Sequence, residues 1–539
     1  MIFVLPALSA VLLSLAWYLH PVCIFFGFVP ILMLVEHFRQ KHIRFRALIL
    51  WCWLYLIFLI WNVATTWWIV NSTMSGAIMA FTLNSLFMTI PVMLYYHISN
   101  TSLKNEALSK LKNIITAVLF VSLWTAYEYL HHRWDLSWPW LTLGNVLAMA
   151  HPLAQWYEYT GTMGGTVWIL TVNYLLFYYL QHKSSIHLAY PGMAFTLPVV
   201  ISLFMYYNHT DKGIKANMVV VQPNIDPYKE KFSGTPEFIP YSVQLQRLIN
   251  LSKSKIDSAT VLVAWPETSL PHGYDEDVLS TLPVIDTLWN MCKGGKDAVL
   301  LTGADTYKIY TTEYDKTVTS RFIQGYGWFD YFNTAVLMEP MKKNQYYHKC
   351  KLVPGVEQMP FLHLFPILET FAINMGGITG SLGRTNDKTT FVTSKGQSYV
   401  PCICYESIYG ELLSRAVKDG GKAIIIITND GWWGHTPGHV QHFEYAKLRA
   451  IETRKSVARA ANTGISCFIN QRGDVLQKSE YWKQDVLKNE VYLNNNQTIY
   501  SLAGDYLGVV CLAVSLLALV GYGSNGVIFF VKKLFKASK

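Results

Sequence analysis

Charge is scarce in this chain. Of its 539 residues only 15% are charged, while 52% are hydrophobic and 14% aromatic, and the mean hydropathy is +0.22. Such a balance excludes a single soluble enzyme and points to the membrane class. Missing too are a glycine-rich phosphate loop, a zinc-spaced cysteine and histidine set, and any internal repeat. Their absence takes away the basis for phosphate-loop chemistry, a structural zinc or a solenoid, and no metal or cofactor is expected. Between residues 208 and 500 there is no apolar run long enough to cross a bilayer. Strands, turns and charges alternate there instead, as in a globular domain.

The apolar residues gather at the two ends of the chain. Expected spans cover 2–19, 22–35, 47–70, 77–98, 114–129, 167–180, 188–207 and 502–530, about eight in all, several near the length a bilayer requires. Residues 2–19 lack a basic leading segment, so they read as a retained first span rather than a cleaved signal peptide. Lysine and arginine set the orientation. With the N-terminus in the cytoplasm, the cytoplasmic loops and tail hold Arg39, Lys41, Arg44, Arg46, Lys104, Lys110, Lys112, Lys183, Lys532, Lys533, Lys536 and Lys539; the short opposite loops hold only Arg133. Both termini are then cytoplasmic and the 208–500 segment faces the other compartment. The formal charge of +9 is mostly this anchoring and gives little support to nucleic-acid binding. The expected domains are a membrane domain over 1–207, a catalytic domain over 214–498, a last span over 502–530 and a basic tail over 531–539.

One thiol stands out from the eight cysteines. Tyr399-Val400-Pro401-Cys402-Ile403-Cys404 reads as a buried strand, and Tyr405-Glu406-Ser407 as a turn into a helix. A cysteine at such an elbow is exposed to backbone N–H groups that favour a thiolate and hold an oxyanion. Cys402, two residues earlier, is expected on the same face of the strand, where an i, i+2 disulfide is geometrically poor, so both are expected free.

Two further strand ends supply partners. Val261-Leu262-Val263-Ala264-Trp265-Pro266-Glu267 runs out into a carboxylate, and Tyr347-His348-Lys349-Cys350-Lys351-Leu352-Val353-Pro354-Gly355 presents an ammonium before a Pro-Gly turn. A carboxylate can take the thiol proton, and an ammonium can steady a tetrahedral oxyanion. Ala423-Ile424-Ile425-Ile426-Ile427-Thr428 reads as a central strand covered on both faces, emptying into Asn429-Asp430-Gly431-Trp432-Trp433-Gly434. Strands alternating with helices argue for a layered α/β domain.

Trp-Pro-Glu, Lys-x-x-Leu-Val-Pro and Cys-Tyr-Glu, in that order, resemble the Glu-Lys-Cys signature of the nitrilase superfamily. The resemblance implies an α-β-β-α sandwich joined to a multi-span α-helical membrane bundle. It implies that Glu267 is the general base, that Lys349 stabilises the oxyanion and that Cys404 forms a thioester. Glu357 matches a second glutamate of the pattern and is expected to orient Lys349 or relay protons. Tyr405 is expected to lend its backbone N–H to the oxyanion hole, and Glu406 a supporting charge.

The combination of spans and nitrilase-like domain is similar to the apolipoprotein N-acyltransferase family. Trp138-Pro139-Trp140, Gln155-Trp156-Tyr157-Glu158-Tyr159-Thr160-Gly161, Val221-Gln222-Pro223-Asn224-Ile225 and the Asn429–Gly434 stretch carry that likeness. It implies a phospholipid acyl donor, a diacylglyceryl apolipoprotein acceptor, a bacterial inner-membrane location with the catalytic domain periplasmic, and a monomer. Trp138, Trp140, Phe232 and Trp432 are expected to contact lipid. Trp134, Trp138, Trp140, Trp156, Tyr157 and Tyr159 are expected in one non-cytoplasmic loop as an interfacial belt, and Glu128, costly within a span, is expected either close to the interface or paired, with Arg133 as one candidate partner. Two departures from the family pattern exist. Gly355-Val356-Glu357 stands where Phe-Gly-Glu is usual, and Phe232 stands where a tryptophan is common. The alternatives are a membrane-tethered amidase using water as acceptor and a non-catalytic scaffold.

Overall fold

The computed structural model describes residues 2–41, 43–99, 111–295, 298–361, 381–384 and 390–537. Lys104, Lys110 and Lys539 of the orientation argument lie outside them. The chain divides into one unit of Met1–Trp67, Ala77–Phe204 and Asp505–Lys539, and another of Trp68–Gly76 and Met205–Gly504.

The first unit is helical. Among the described residues six helices are long and apolar enough to cross a membrane: Pro21–Gln40, Arg46–Asn71, Met74–Ile98, Lys112–His131, Tyr157–His182 and His187–Asn208. The shorter apolar helix Val4–Tyr18 and the apolar stretch Tyr506–Tyr522 of the helix Tyr506–Ala537 occupy the other expected places. The first, of 15 residues, is about 22 Å long, short of a 30 Å hydrocarbon layer. The expected short span at 22–35 is instead part of a 20-residue stretch. The side chain of Asn173 mends the helix break inside it, accepting from Phe28 N (2.8 Å) and Val29 N (3.2 Å) and donating to Ile24 O (3.0 Å).

Three expectations about this unit are corrected. Glu128 does not pair with Arg133. Its carboxylate accepts from Trp124 Nε1 (2.9 Å), Leu143 N (2.9 Å) and Thr166 Oγ1 (2.6 Å), while Arg133 reaches Asp505 at 3.3 Å. The aromatic stretch is not one loop either: Pro139–Leu141 and Leu143–Leu153 are 3₁₀ turns, and the helix Tyr157–His182 begins ten residues before the expected span. A left-handed Gly161 (φ 60°) lets that helix continue across a kink. Finally, Trp140 is fully enclosed and stacked at 5.4 Å on the half-buried Trp138, so it offers no face to lipid.

The second unit carries two sheets. Its strands are β1 (Ile214–Gln222), β2 (Thr260–Ala264), β3 (Leu270–Asp275), β4 (Val299–Tyr310), β5 (Arg321–Ile323), β6 (Gly327–Met338), β7 (Gln345–His348), β8 (Phe391–Val392), β9 (Ser398–Ile403), β10 (Ala423–Thr428), β11 (Val457–Ala461), β12 (Cys467–Ile469), β13 (Val475–Lys478) and β14 (Asp485–Leu493). One sheet runs β14-β1-β2-β4-β6-β5, with β3 on β4 and β7 on β6; the other runs β13-β12-β11-β10-β9-β8. Inner faces meet through Met218, Val220, Leu262, Leu301, Tyr399, Ile425, Ile427 and Phe468. The outer face of the first sheet packs helices Tyr241–Lys253 and Pro283–Cys292, and that of the second packs Gly410–Lys418 and Pro437–Thr453. This is the α-β-β-α sandwich that the nitrilase resemblance implies. β10 is buried at every residue, as its four isoleucines require, because sheet and helices cover both faces.

Candidate active site

At the end of β9 the backbone leaves the strand through Cys404, held at φ 51° in the left-handed region, and enters the turn Cys404–Ile408. A non-glycine residue there is strained and persists only where its surroundings fix it. They do so here. The carbonyl of Cys404 accepts from Ser407 Oγ (2.9 Å) and lies 3.1 Å from His442 Nε2. Glu406 folds back under the elbow: Oε2 accepts from Ile403 N (2.8 Å), and Oε1 from Cys350 N (2.7 Å) and Tyr347 OH (2.8 Å). Glu406 is therefore a cap that ties the elbow to Tyr347 in β7 and to Cys350 just beyond it, and burial pushes its carboxyl up against those donors. The same left-handed turn separates the two cysteines. Cys402 packs under the helices outside its sheet and Cys404 lies between the sheets, so the expected shared face is corrected, and all eight thiols are free. Tyr405 is buried in the first turn, edge-on to Tyr409.

The carboxylate and the ammonium converge beside this elbow. After β2, Gly303 N donates to Pro266 O (3.1 Å), and Thr268 takes φ 49°, which swings Glu267 inward. Lys349 follows β7, its N–H on Asn333 O at 2.9 Å. Lys349 Nζ donates to Glu267 Oε1 (3.2 Å) and Glu357 Oε1 (2.7 Å), with the lysine 1% exposed. Asn333 Nδ2 bridges the same two oxygens at 2.7 and 3.2 Å, Val353 N donates to Glu357 Oε2 (2.8 Å), and Asn429 N donates to Glu267 Oε2 (3.1 Å).

Electrostatics sharpens what this arrangement can do. Burial alone would lower the Lys349 ammonium, but Glu267 and then Glu357 more than offset it, and its pKa stands well above the ordinary 10.5. The Cys404 thiol moves the other way. Burial pushes it far above its ordinary 9.0, the charge of Glu267 adds to that, and Lys349 opposes. The expected resting thiolate is thus corrected: burial and a neighbouring carboxylate outweigh the elbow's donors, and the sulfur rests as a neutral thiol. A neutral thiol beside a carboxylate calls for proton transfer at the moment of attack, with a fixed cation for the oxyanion.

Several residues at this place went unmarked in the sequence. Asn333 sits mid-strand in an apolar run with nothing local to flag it. Behind the elbow, Asp430 accepts from Arg459 Nη2 (2.6 Å), Thr428 Oγ1 (2.8 Å) and His442 Nδ1 (3.0 Å), all fully buried. Burial would raise the Asp430 carboxyl, but Arg459 and His442 hold it below the ordinary 3.8. The Asn429-Asp430-Gly431 turn was the available signal. Phe232 and Trp432 do come together, stacked at 6.2 Å and 15°, with Tyr228 edge-on to Trp432 at 5.2 Å. Among the described residues no group of histidine, cysteine and carboxylate side chains could hold a metal ion.

Residues 235–499 match the family described as carbon-nitrogen hydrolase, and residues 9–175 match the apolipoprotein N-acyltransferase N-terminal domain. A Chlorobaculum tepidum protein named apolipoprotein N-acyltransferase is 29% identical over 538 residues, covering 96% of each chain. One of the same name from Haemophilus influenzae is 26% identical over 396 residues, 72% of this chain and 71% of its own. Among solved structures, Saccharomyces cerevisiae Nit3, a member of branch 10 of the nitrilase superfamily, shares 16% identity, with 54% of this chain and 93% of that one covered at TM-score 0.34.

Proposed function

The chain belongs to the apolipoprotein N-acyltransferase family, and from that premise we propose that it moves a fatty acyl chain from a membrane phospholipid, through a thioester on Cys404, to the N-terminal amine of a diacylglyceryl-cysteine lipoprotein. The observation that carries this reading is the meeting of Glu267, Lys349 and Glu357 in one hydrogen-bonded cluster against a buried thiol.

In the first half-reaction Cys404 Sγ attacks the ester carbonyl as Glu267 takes the S–H proton. Lys349 and the Tyr405 N–H hold the oxyanion, with Glu357 fixing the lysine. The C–O bond then breaks, and Glu267 returns its proton to the departing alkoxide, releasing lysophospholipid. In the second half-reaction the lipoprotein amine attacks the thioester, Glu267 accepts the amine proton, the C–S bond breaks and the proton returns to sulfur. Splitting the transfer this way is a ping-pong scheme. Phe232 and Trp432 suit an apolar wall for the acyl chain, and the half-buried Trp138 a lipid contact in the membrane unit.

Both substrates are lipids, so a hydrolase-type domain needs a membrane tether. The protein acts as a monomer in the bacterial inner membrane, with residues 214–498 as a periplasmic catalytic domain and both termini cytoplasmic. Incubating the purified protein with phospholipid and weighing it by mass spectrometry tests the chemistry. Cys404 should gain a fatty-acyl mass that a diacylglyceryl peptide then removes as an N-acyl product. An adduct that persists in Cys404→Ala contradicts the assignment. Release of free fatty acid with no acylated peptide favours hydrolysis.

A further inference from the structure

The acyl-transfer chemistry leaves one buried cation beside the site without a role. Lys231 is 3% exposed in the segment between β1 and the helix Tyr241–Lys253. A lysine so enclosed is costly unless something holds its ammonium. Its backbone is fixed first: Lys231 N donates to Asp226 O (3.0 Å), and the buried Gln244 Nε2 donates to Lys231 O (2.8 Å) and Ile239 O (2.7 Å). The ammonium then reaches the turn that carries the base. Nζ donates to Glu267 O at 3.2 Å and also to Thr268 Oγ1.

That turn needs holding. Thr268 sits at φ 49°, and the chain there crosses β4 so closely that a Cβ on Gly303 would lie 2.5 Å from Thr268 N and 2.6 Å from Glu267 Cα. A strained, close-packed turn relaxes once its restraints go, and relaxation would swing the carboxylate off Lys349, Asn333 and the Asn429 N–H. Burial pushes the Lys231 ammonium down to about 8, with Asp305 and Glu267 opposing, so a fixed cation persists at neutral pH.

We propose that Lys231 is a positioning residue for the general base: its ammonium clamps the main chain of Glu267 and the hydroxyl of Thr268, and so sets where the carboxylate meets the thiol. It touches neither substrate nor sulfur. The inference rests on Glu267 and Cys404 being base and nucleophile.

The test uses the full chain in phospholipid vesicles and reads two rates. One is alkylation of Cys404 by iodoacetamide, which reports thiol activation without lipid. The other is steady-state acyl transfer from phospholipid to a diacylglyceryl peptide. Lys231→Met should lower alkylation and kcat together by roughly 10- to 100-fold, with KM little changed, because displacing a reacting group by an ångström or less costs factors of this size. Lys231→Gln, which keeps a donor for the carbonyl, should recover part of both. Alkylation within about twofold of the parent, or a loss confined to KM, overturns the inference. Should Lys231→Met fail to fold, Thr268→Val removes the other half of the clamp while keeping its shape; unchanged rates there also overturn it. If Cys404→Ala still transfers acyl chains, the failure belongs to the proposed chemistry and not to Lys231.

Discussion

A thiol buried against a carboxylate can lose its proton to solvent or to that neighbour, and the two routes differ in pH dependence. Burial and the charge of Glu267 raise the Cys404 thiol above its ordinary 9.0. If loss to solvent dominated, reactivity near neutrality would rise about tenfold per pH unit, following the thiolate fraction. Transfer to Glu267 moves a proton within the site and leaves the total count unchanged. Alkylation of Cys404 in the parent should therefore be nearly flat between about pH 6 and 8. In Glu267→Gln the residual rate should be lower and should regain the steep slope. A parent profile as steep as the variant's would remove Glu267 from the role of base. The residue types at the site were legible because each ends an apolar strand at a recognisable motif. The protonation of the thiol was not, since it depends on how much surface covers the sulfur and on a carboxylate 137 positions earlier in the chain.

Strands and turns decide whether those side chains can meet. Glu267 comes inward only because the segment after β2 crosses β4 at Gly303, with Pro266 O, Glu267 Cα and Thr268 N all within 2.6 Å of where a side chain would begin. These are backbone atoms, so neither side can yield by rotating a side chain. Gly303→Ala should destabilise the unit by about 1–3 kcal/mol, as overpacking does. It should also cut acyl transfer by more than tenfold, since the base moves with the turn. Thermal unfolding and steady-state rates measure the two effects; an active, fully stable variant would show that the crossing does not set the base. At this scale the sequence was informative where composition was one-sided. Ala423–Thr428 could only be a covered central strand, and it is. The cysteine pair was misjudged because strand alternation was carried one residue too far, past a left-handed turn that nothing local announces. Arg133 was the wrong candidate partner for Glu128 for a related reason: the donors Leu143 and Thr166 come from later segments, and the arginine was only close in sequence.

For the molecule as a whole, orientation in the membrane is the property that basic residues control. Inverting the chain would carry Arg39, Lys41, Arg44 and Arg46 across the bilayer within one short loop. At the helix centre each such residue costs about 2.5–3.5 kcal/mol on insertion scales, and several together bias insertion strongly even after partial solvation. The proposed acceptor chemistry makes the same demand, because a lipoprotein amine presented outside the cytoplasm would be acylated only by a thiol on that side. Two engineered cysteines separate the possibilities. Tyr314→Cys replaces a 99% exposed residue in the catalytic unit, and Ile43→Cys replaces one that is 42% exposed in the basic loop. In intact spheroplasts a membrane-impermeant maleimide should label position 314 at once, and position 43 only after the membrane is opened. Labelling in the reverse order would put the thiol in the cytoplasm, away from its lipoprotein acceptor. It would overturn the proposed function even if every distance around Cys404 stood.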